Sequence, residues 1–554
     1  MLSNSSGIYQ ERDDFILIGL TGWTGSGCST AANILRNEKF PKIRMPDINL
    51  LDGNEKRKAL IVHNYISKNW TPFFCIKVSA ILTVIMLEME RDVLLNFLNG
   101  FGFENYQHLN ELFHEHDAIV YSEMDVLDFY EEAARVNAKI QSAIGLDDYT
   151  VLYQCVGNLV RSGAVPFEKS DCVPIQIIPR KIVSIVECHK KLKPGKNYYV
   201  IDAIRNPFEA VYLKDRFSAF YLVGVTVDND VRRARLFKKG MEYFDVAVMD
   251  VKEGVSLKDI DISQDEKLRI SNLVKDDRDN KICLQNISAC LEKCDIYLEN
   301  PDDPIFSPDY DNPAELAKGL ATYVSLMQRP GLITPTAIER VMQIAVTAKL
   351  NSGCLSRQVG AVVTDEDYAV LSIGWNDVAK GQVSCLLRNA QYYVRGNDPE
   401  AFSDYELRNV AFREAVKIKV DVVSANKTNG RVFSYCFKDV YNDLTKQKNQ
   451  VHTRALHAEE NAFLQLAKRG GAVSGGYLFT TASPCELCSK KSYQMGVRKI
   501  YYVDPYPGIA TSNILESGAA RPELELFKGA IGRAYHQLYH SVMPYKDEME
   551  LLLK

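Results

Sequence analysis

The sequence predicts an α/β protein with two large domains, on three observations. Apolar runs of strand length alternate with helical stretches through the first three hundred residues, as a doubly wound parallel sheet requires. The first of these runs ends in a glycine-rich turn that opens a helix. Near the carboxyl end, further strand-like runs surround a cluster of His, Glu and Cys. At 554 residues the chain is too long for one core, and 46% hydrophobic with 25% charged residues is a globular composition that excludes a fibre or a disordered chain.

In chain order, Phe15 to Leu20 reads as a buried strand, followed by the turn Thr21 to Thr30 and a helix from Ala31. Gly22, Gly27 and Ser29 fit the P-loop pattern G-x-x-x-x-G-K-[ST], with Cys28 where the lysine would stand. That lysine stabilises charge during phosphoryl transfer, whereas backbone amides and a helix dipole bind phosphate without it. The loop Gly22, Gly25, Ser26, Gly27, Cys28, Ser29 and Thr30 is therefore expected to bind a nucleotide rather than to transfer phosphate. Ile76 to Leu87 is apolar but too short to span a bilayer, and reads as a buried helix. Val200 to Glu209 is a buried strand ending in polar groups, and Tyr221 to Val227 and Asp295 to Asn300 are further strands, the last preceded by Asp276 to Asp279 and Gln285-Asn286.

Together with Gln154 to Arg161 and the basic helix carrying Arg232, Arg233 and Arg235, these segments resemble nucleoside monophosphate kinases, deoxynucleotide kinases in particular. The resemblance implies a P-loop NTPase-like domain in which Asp202 and Arg205 lie near the nucleotide and the basic helix forms a lid. The Pro- and Asp-rich stretch from Pro301 to Pro313 breaks the pattern and reads as a linker, giving domains 1–313 and 314–554. The helix that follows, Ala314 to Met327, suits either side.

The carboxyl-terminal part opens with a helix from Ile338 to Leu350. The run Ser356 to Val363, which reads as a buried strand, and its hairpin partner, Ala369 to Asn376, come next. Past a long insertion, 377–450, come His457-Ala458-Glu459, a helical run closing on Gly470 and Gly471, a strand at Gly476 to Thr481, and Pro484-Cys485-Glu486-Leu487-Cys488. His457, Cys485 and Cys488 supply three zinc ligands, one short of a closed structural site, and a catalytic zinc keeps its fourth position for water. Glu459 is two residues from His457 and so off its helical face, yet both reach a metal held beyond the helix end.

The set His457-x-Glu459, Pro484-Cys485-x-x-Cys488 and Gly374-Trp375-Asn376 resembles the cytidine and deoxycytidylate deaminase family. The resemblance implies a three-layer α/β/α domain, a Zn2+ cofactor, and attack of a metal-activated water on C4 of cytosine. Glu459 would protonate N3 and pass a proton to the departing ammonia. It also implies that Asn376 bonds sugar and base, that the backbone of Ala458 and Ser483 borders the base, and that Arg357 reaches a phosphate. Cys354, Cys385, Cys436 and His452 offer ligands for a second zinc of the kind some deoxycytidylate deaminases carry.

The two-domain arrangement resembles bacterial antiphage deoxycytidylate deaminases. That likeness implies conversion of dCTP or dCMP to dUTP or dUMP, depletion of deoxycytidine nucleotides in antiphage defence, and a regulatory nucleotide (dTTP, dCTP or ATP) at the P-loop domain. It further implies a small inhibitory RNA and a homo-oligomer. The net charge of −5 gives no global attraction to polynucleotides, which favours free nucleotides as substrates. Thirteen irregularly spaced cysteines without a secretory signal predict reduced thiols, a cytoplasmic location and no membrane partner. The rival readings are an RNA or single-stranded DNA cytosine deaminase, a nucleoside monophosphate kinase with a regulatory deaminase-like domain, and a nucleotide-binding protein with structural zinc.

Overall fold

The computed structural model describes residues 9, 12–40, 53–99, 109, 111–113, 124–163, 173–255, 257, 260, 262–273, 282–301, 314–423, 428–446, 453–504 and 510–553. The chain forms two compact units, Met1–Thr334 with Lys528–Lys554, and Pro335–Phe527. The division falls after Thr334 rather than after Pro313. The helix Ala314–Gln328 turns Leu316, Leu320, Val324 and Met327, one helical face, into the core of the first sheet beside Ile16, Ile18 and Val223. The helix Gly532–Tyr539 adds Ala534 and Leu538 to that core, so the last residues return to the first unit, which the sequence reading had placed in the second domain. The expected linker, from residue 302 on, and Asp276 to Asp279 lie outside the described residues.

In the first unit, β1 (Phe15–Thr21), β2 (Phe74–Lys77), β3 (Asn197–Asp202), β4 (Phe220–Thr226) and β5 (Ile296–Glu299) are parallel in the order β2-β3-β1-β4-β5. The two-residue strand Gly529–Ala530 is antiparallel on β5. Helices cover a sheet of this kind on both sides, which is why β1 and β4 read as unbroken apolar runs. The apolar run from Ile76 is not one helix: Ile76 and Lys77 finish β2, and the buried helix is Val78–Leu87. Among the described residues no helix is long and apolar enough to cross a membrane.

The second unit holds β6 (Gly360–Thr364), β7 (Val370–Trp375), β8 (Tyr477–Ala482), β9 (Lys499–Asp504) and β10 (Glu523–Leu526), in the order β10-β9-β8-β6-β7. β6 is antiparallel to β7 and β8, while β8, β9 and β10 are mutually parallel. Two glycines set its layers. A methyl on Gly374 would run into Ala458 O and Ala462 N, and one on Gly360 would run into Ala345 O and Lys349 N. Gly374 pairs with Ala361, the neighbour of Gly360, and successive strand residues face opposite sides. The helices Ala337–Lys349 and Ala458–Lys468 therefore pack closely on opposite faces of the sheet, a three-layer arrangement.

Candidate functional site

Two helix N-termini bring together the three side chains that could hold a metal. His457 is the N-cap of Ala458–Lys468, its backbone N–H donating to Glu460 Oε2 at 3.5 Å, and the helix ends before Gly470, which is left-handed at φ 72°. Cys485 is the N-cap of Glu486–Gln494, and Cys488 sits in its first turn. Glu460 also pairs with Lys491, which ties the two helices side by side.

His457 Nδ1 lies 3.3 Å from Cys485 Sγ and 3.4 Å from Cys488 Sγ, and all three ligand atoms fall within 4.8 Å of one another. Tetrahedral zinc, with bonds of roughly 2.3 Å to sulfur and 2.0 Å to nitrogen, separates S and N by about 3.5 Å, so this donor set fits the ion. Among the described residues it is the one such group, and it has three members, not four. Cys354, Cys385 and Cys436 form no second group, and His452 lies outside the described residues.

A hydrogen bond from Cys488 draws the Cys485 thiol well below its usual range against the cost of burial, with His457 and the Cys488 backbone N–H adding to the effect. The same bond and burial push Cys488 up. Alone, the two thiols hold one proton between them; a divalent cation supplies the charge that releases it. The Cys485 bond raises His457. Burial raises Glu459, which is 4% exposed and accepts from Thr480 Oγ1 at 3.5 Å.

His457, Glu459 and Cys485 open onto a cavity of about 200 Å³, together with Ala458, Ser483, Asn376 and Arg357; Cys488 stands behind it. The Asn376 amide is already bonded to backbone, accepting from Val359 N and donating to Arg357 O, each at 2.6 Å. It thereby fixes the chain entering β6. The Arg357 guanidinium is ion-paired with Asp504 at the end of β9.

The sequence reading missed what the insertion does. It folds around its own small core of Tyr393, Phe402, Phe412 and Phe437, and sends Arg388, Glu406 and Lys438 to the cavity wall. Arg388 is 1% exposed, paired with Glu406 and stacked 4.1 Å from the Phe437 ring centroid. Arg454 joins the same wall, 3.5 Å from Glu406. The density of aromatic residues around a single buried arginine was the available signal.

In the first unit, Gly22, Gly25, Gly27, Cys28, Ser29, Thr30, Asp202 and Arg205 all line a larger cavity of about 1030 Å³, whereas Ser26 is buried and does not. Gly27 takes φ 113° at the start of the helix Cys28–Arg36, with Asn300 Nδ2 donating to Ser26 O at 2.8 Å. Arg205 pairs with Glu253, which also holds Thr24. Burial, followed by Asp202, pushes the Cys28 thiol up to about 12, so the residue that replaces the lysine is uncharged.

Residues 335–504 match the family model described as the cytidine and deoxycytidylate deaminase zinc-binding region. The chain is 28% identical over 166 residues to the deoxycytidylate deaminase of Enterobacteria phage T4, covering 30% of this chain and 77% of that protein. It is 40% identical over 53 residues to ComE operon protein 2 of Bacillus subtilis (strain 168), 10% of this chain and 28% of that one. Among solved structures, the dCMP deaminase from the cyanophage S-TIM5 in complex with dCMP and dUMP is 23% identical, covering 35% of this chain and 99% of that chain with a TM-score of 0.22.

Proposed function

With residues 335–504 forming a cytidine and deoxycytidylate deaminase zinc-binding domain, we propose that the protein hydrolyses free deoxycytidine nucleotides, dCMP or dCTP, to dUMP or dUTP and ammonia. One observation carries this reading: three side chains able to hold one cation converge at the wall of a pocket that also holds a buried carboxylate, Glu459, that is not one of them. A bound zinc ion there supplies Lewis acidity, which activates water at neutral pH. Glu459 would take a proton from water as the water oxygen bonds to C4, deliver it to N3 of the base, and then carry the proton of the new C4 hydroxyl to the amine, which leaves as ammonia. Thr480 holds the carboxylate in place, and Asn376 fixes the strand that bears the sugar-side wall. Arg357, Arg388, Lys438 and Arg454 line the pocket against two lining carboxylates, Glu406 and Glu459, a balance that supports an anionic substrate.

The first unit binds a nucleotide that sets the rate of deamination without being phosphorylated. Support comes from the glycine turn that opens a helix onto a cavity, and from the neutral Cys28 within it. Antiphage depletion of deoxycytidine nucleotides rests on the resemblance of the two-part arrangement, and a plaque assay with an E459Q chain tests it.

The chemistry is tested by incubating zinc-loaded protein with cytidine, CMP, dCMP, CTP and dCTP and measuring ammonia. Release from a deoxynucleotide is expected, and silence across the panel ends the reading. E459Q should keep its zinc and lose about 10²–10⁴-fold in rate.

A further inference from the structure

We infer that the cavity of the first unit has two ends, a phosphate end at Gly25 to Thr30 and a base-reading end at Gln154 and Gln285, and that its ligand is a nucleoside triphosphate. The inference deepens the proposal that this unit binds a nucleotide. It rests first on two buried amides. Gln154 and Gln285 are 4% and 6% exposed, both line the cavity, and Gln154 Nε2 and Gln285 Oε1 have no hydrogen-bond partner among the described residues. A buried polar group left unpaired costs about 1–3 kcal/mol, so a donor and an acceptor left open in one cavity ask for a ligand that answers both. The hydrogen-bonding edge of a nucleobase does so, since it sets an N–H beside a carbonyl or ring nitrogen.

The two amides belong to one rigid assembly. Gln154, Asn158 and Arg161 stand at i, i+4 and i+7 on the helix Val126–Ser162, and so share a face. Asn158 Oδ1 accepts the backbone N–H of Gln285 at 3.2 Å, which anchors the main chain carrying the second amide to that face. Arg161 Nε donates to Glu209 Oε1 at 2.8 Å and its Nη1 to Asn158 Oδ1 at 3.5 Å, which fixes the carbonyl in turn. On the turns just before, Tyr149 and Tyr153, with ring centroids 4.4 Å apart, give the same cavity an aromatic wall for a flat ring, and Tyr153 is held by Thr83 at 2.7 Å.

The other end suits several phosphates. The helix Cys28–Arg36 presents its N-terminus there, with Gly27, Cys28, Ser29 and Thr30 lining the cavity. Six basic side chains line the cavity against one lining carboxylate, Asp202; Arg161 and Arg205 are paired with Glu209 and Glu253 behind the wall, and two of the other four, Lys238 and Lys239, are exposed at the end of the helix Asn229–Lys238. That balance fits a polyanion, and a volume of about 1030 Å³ is at the upper end for a small-ligand site, enough for a triphosphate with its base.

Isothermal titration of the full-length protein with ATP, GTP, dTTP and inorganic tripolyphosphate tests both ends, with cytosine nucleotides left out because the deaminase pocket would take them. At least one nucleotide should bind tenfold or more tighter than tripolyphosphate. Q154L and Q285L should each bring that nucleotide to within about threefold of tripolyphosphate and leave tripolyphosphate itself unchanged, because their side chains serve only the base. Both variants should melt no lower than the parent in the absence of nucleotide, since each replaces a buried amide that holds an unpaired polar atom with an apolar group of similar size.

The exposed pair K238A/K239A, which puts no strain on folding, should weaken tripolyphosphate and nucleotide alike. Tripolyphosphate binding as tightly as every nucleotide, or nucleotide affinity unmoved in both glutamine variants, would overturn the two-ended site. Titration reads heat and not ammonia, so the two proposals fail separately. Nucleotide binding that Q154L abolishes, with deamination indifferent to nucleotide, would overturn regulation and leave the site. A nucleotide response of deamination that persists in Q154L and Q285L would overturn the site and leave regulation.

Discussion

Two cysteines of this chain occupy the same local setting, the start of a helix that follows a strand, and their thiols move in opposite directions. Cys28 begins the helix after β1 and is pushed up to about 12, whereas Cys485 caps the helix after β8 and is drawn well below its usual range. A helix N-terminus favours a thiolate at both, but by about 0.3–1 kcal/mol only. The partners decide the outcome. Cys485 faces Cys488 and His457, which donate to it or carry positive charge, while Cys28 is buried with Asp202 and Glu253 nearby, and Arg205 and Ser26 do not outweigh them. One position is thus suited to a metal ligand and the other is a neutral stretch of wall in a cavity lined by basic side chains.

The sharpest way to break that comparison is to make the same substitution at both places. C485S should remove the bound zinc and with it deamination, a fall of about 10³-fold or more, because two remaining ligands hold the ion far less well. C28S should leave zinc content and the deamination rate of effector-free protein within about twofold. Zinc by atomic absorption and ammonia release read both, and a C28S protein that lost its metal would mean that the two settings are not distinct.

A second parallel grades the comparison more finely. Each cavity carries a buried arginine–glutamate pair, Arg161 with Glu209 in the first unit and Arg388 with Glu406 in the second, and all four side chains are at most 2% exposed. Removing the cation from a buried pair costs about 3–5 kcal/mol, because the carboxylate is left uncompensated. R161M should approach that figure in urea unfolding. R388M should cost less, because Arg454 remains 3.5 Å from Glu406. Burial pushes the Glu406 carboxyl up but Arg388 outweighs it, so its pKa is lowered overall. A depressed carboxylate contributes stability above its unfolded value of about 4.3 and loses it as pH falls through the folded value, so the R388M deficit should shrink in acid. Equal costs for the two variants would show that Arg454 carries no share.

The layers of the second unit were legible in the sequence because strand alternation, helix caps and the ligand motif are local patterns; G374A tests the closeness they require, and should cost about 1–3 kcal/mol by pushing the His457 helix off β7. His457, Cys485 and Cys488 converge because each sits at a helix start that the sequence marks with a cap or a proline. What stayed hidden depends on distant partners. The last two residues of β2, Ile76 and Lys77, merged with the apolar helix behind them, and the apolar face of Ala314–Gln328 fits either sheet until the fold chooses one. Arg388 and Gln285 lie far in sequence from the cavities they serve, in segments whose polarity reads as ordinary surface.

The smallest expected effect isolates Cys28 by pH. Its folded pKa, about 12, lies above the unfolded value of about 8.5, so the neutral thiol contributes stability that is complete below about pH 8.5 and is lost as pH rises toward 12. Many other groups titrate in that range, but subtracting C28A from the parent removes every one whose surroundings the substitution leaves alone. The stability difference between parent and C28A should be flat from pH 6 to 8 and then tilt steadily against the parent on the alkaline side. Alkylation of Cys28 by iodoacetamide in the folded chain should be correspondingly slow at pH 8. A flat difference to pH 10 with fast alkylation would mean that Cys28 is a thiolate after all. The two helix starts would then differ in their neighbours but not in their charge, and the cavity of the first unit would lack the neutral thiol expected at its phosphate end.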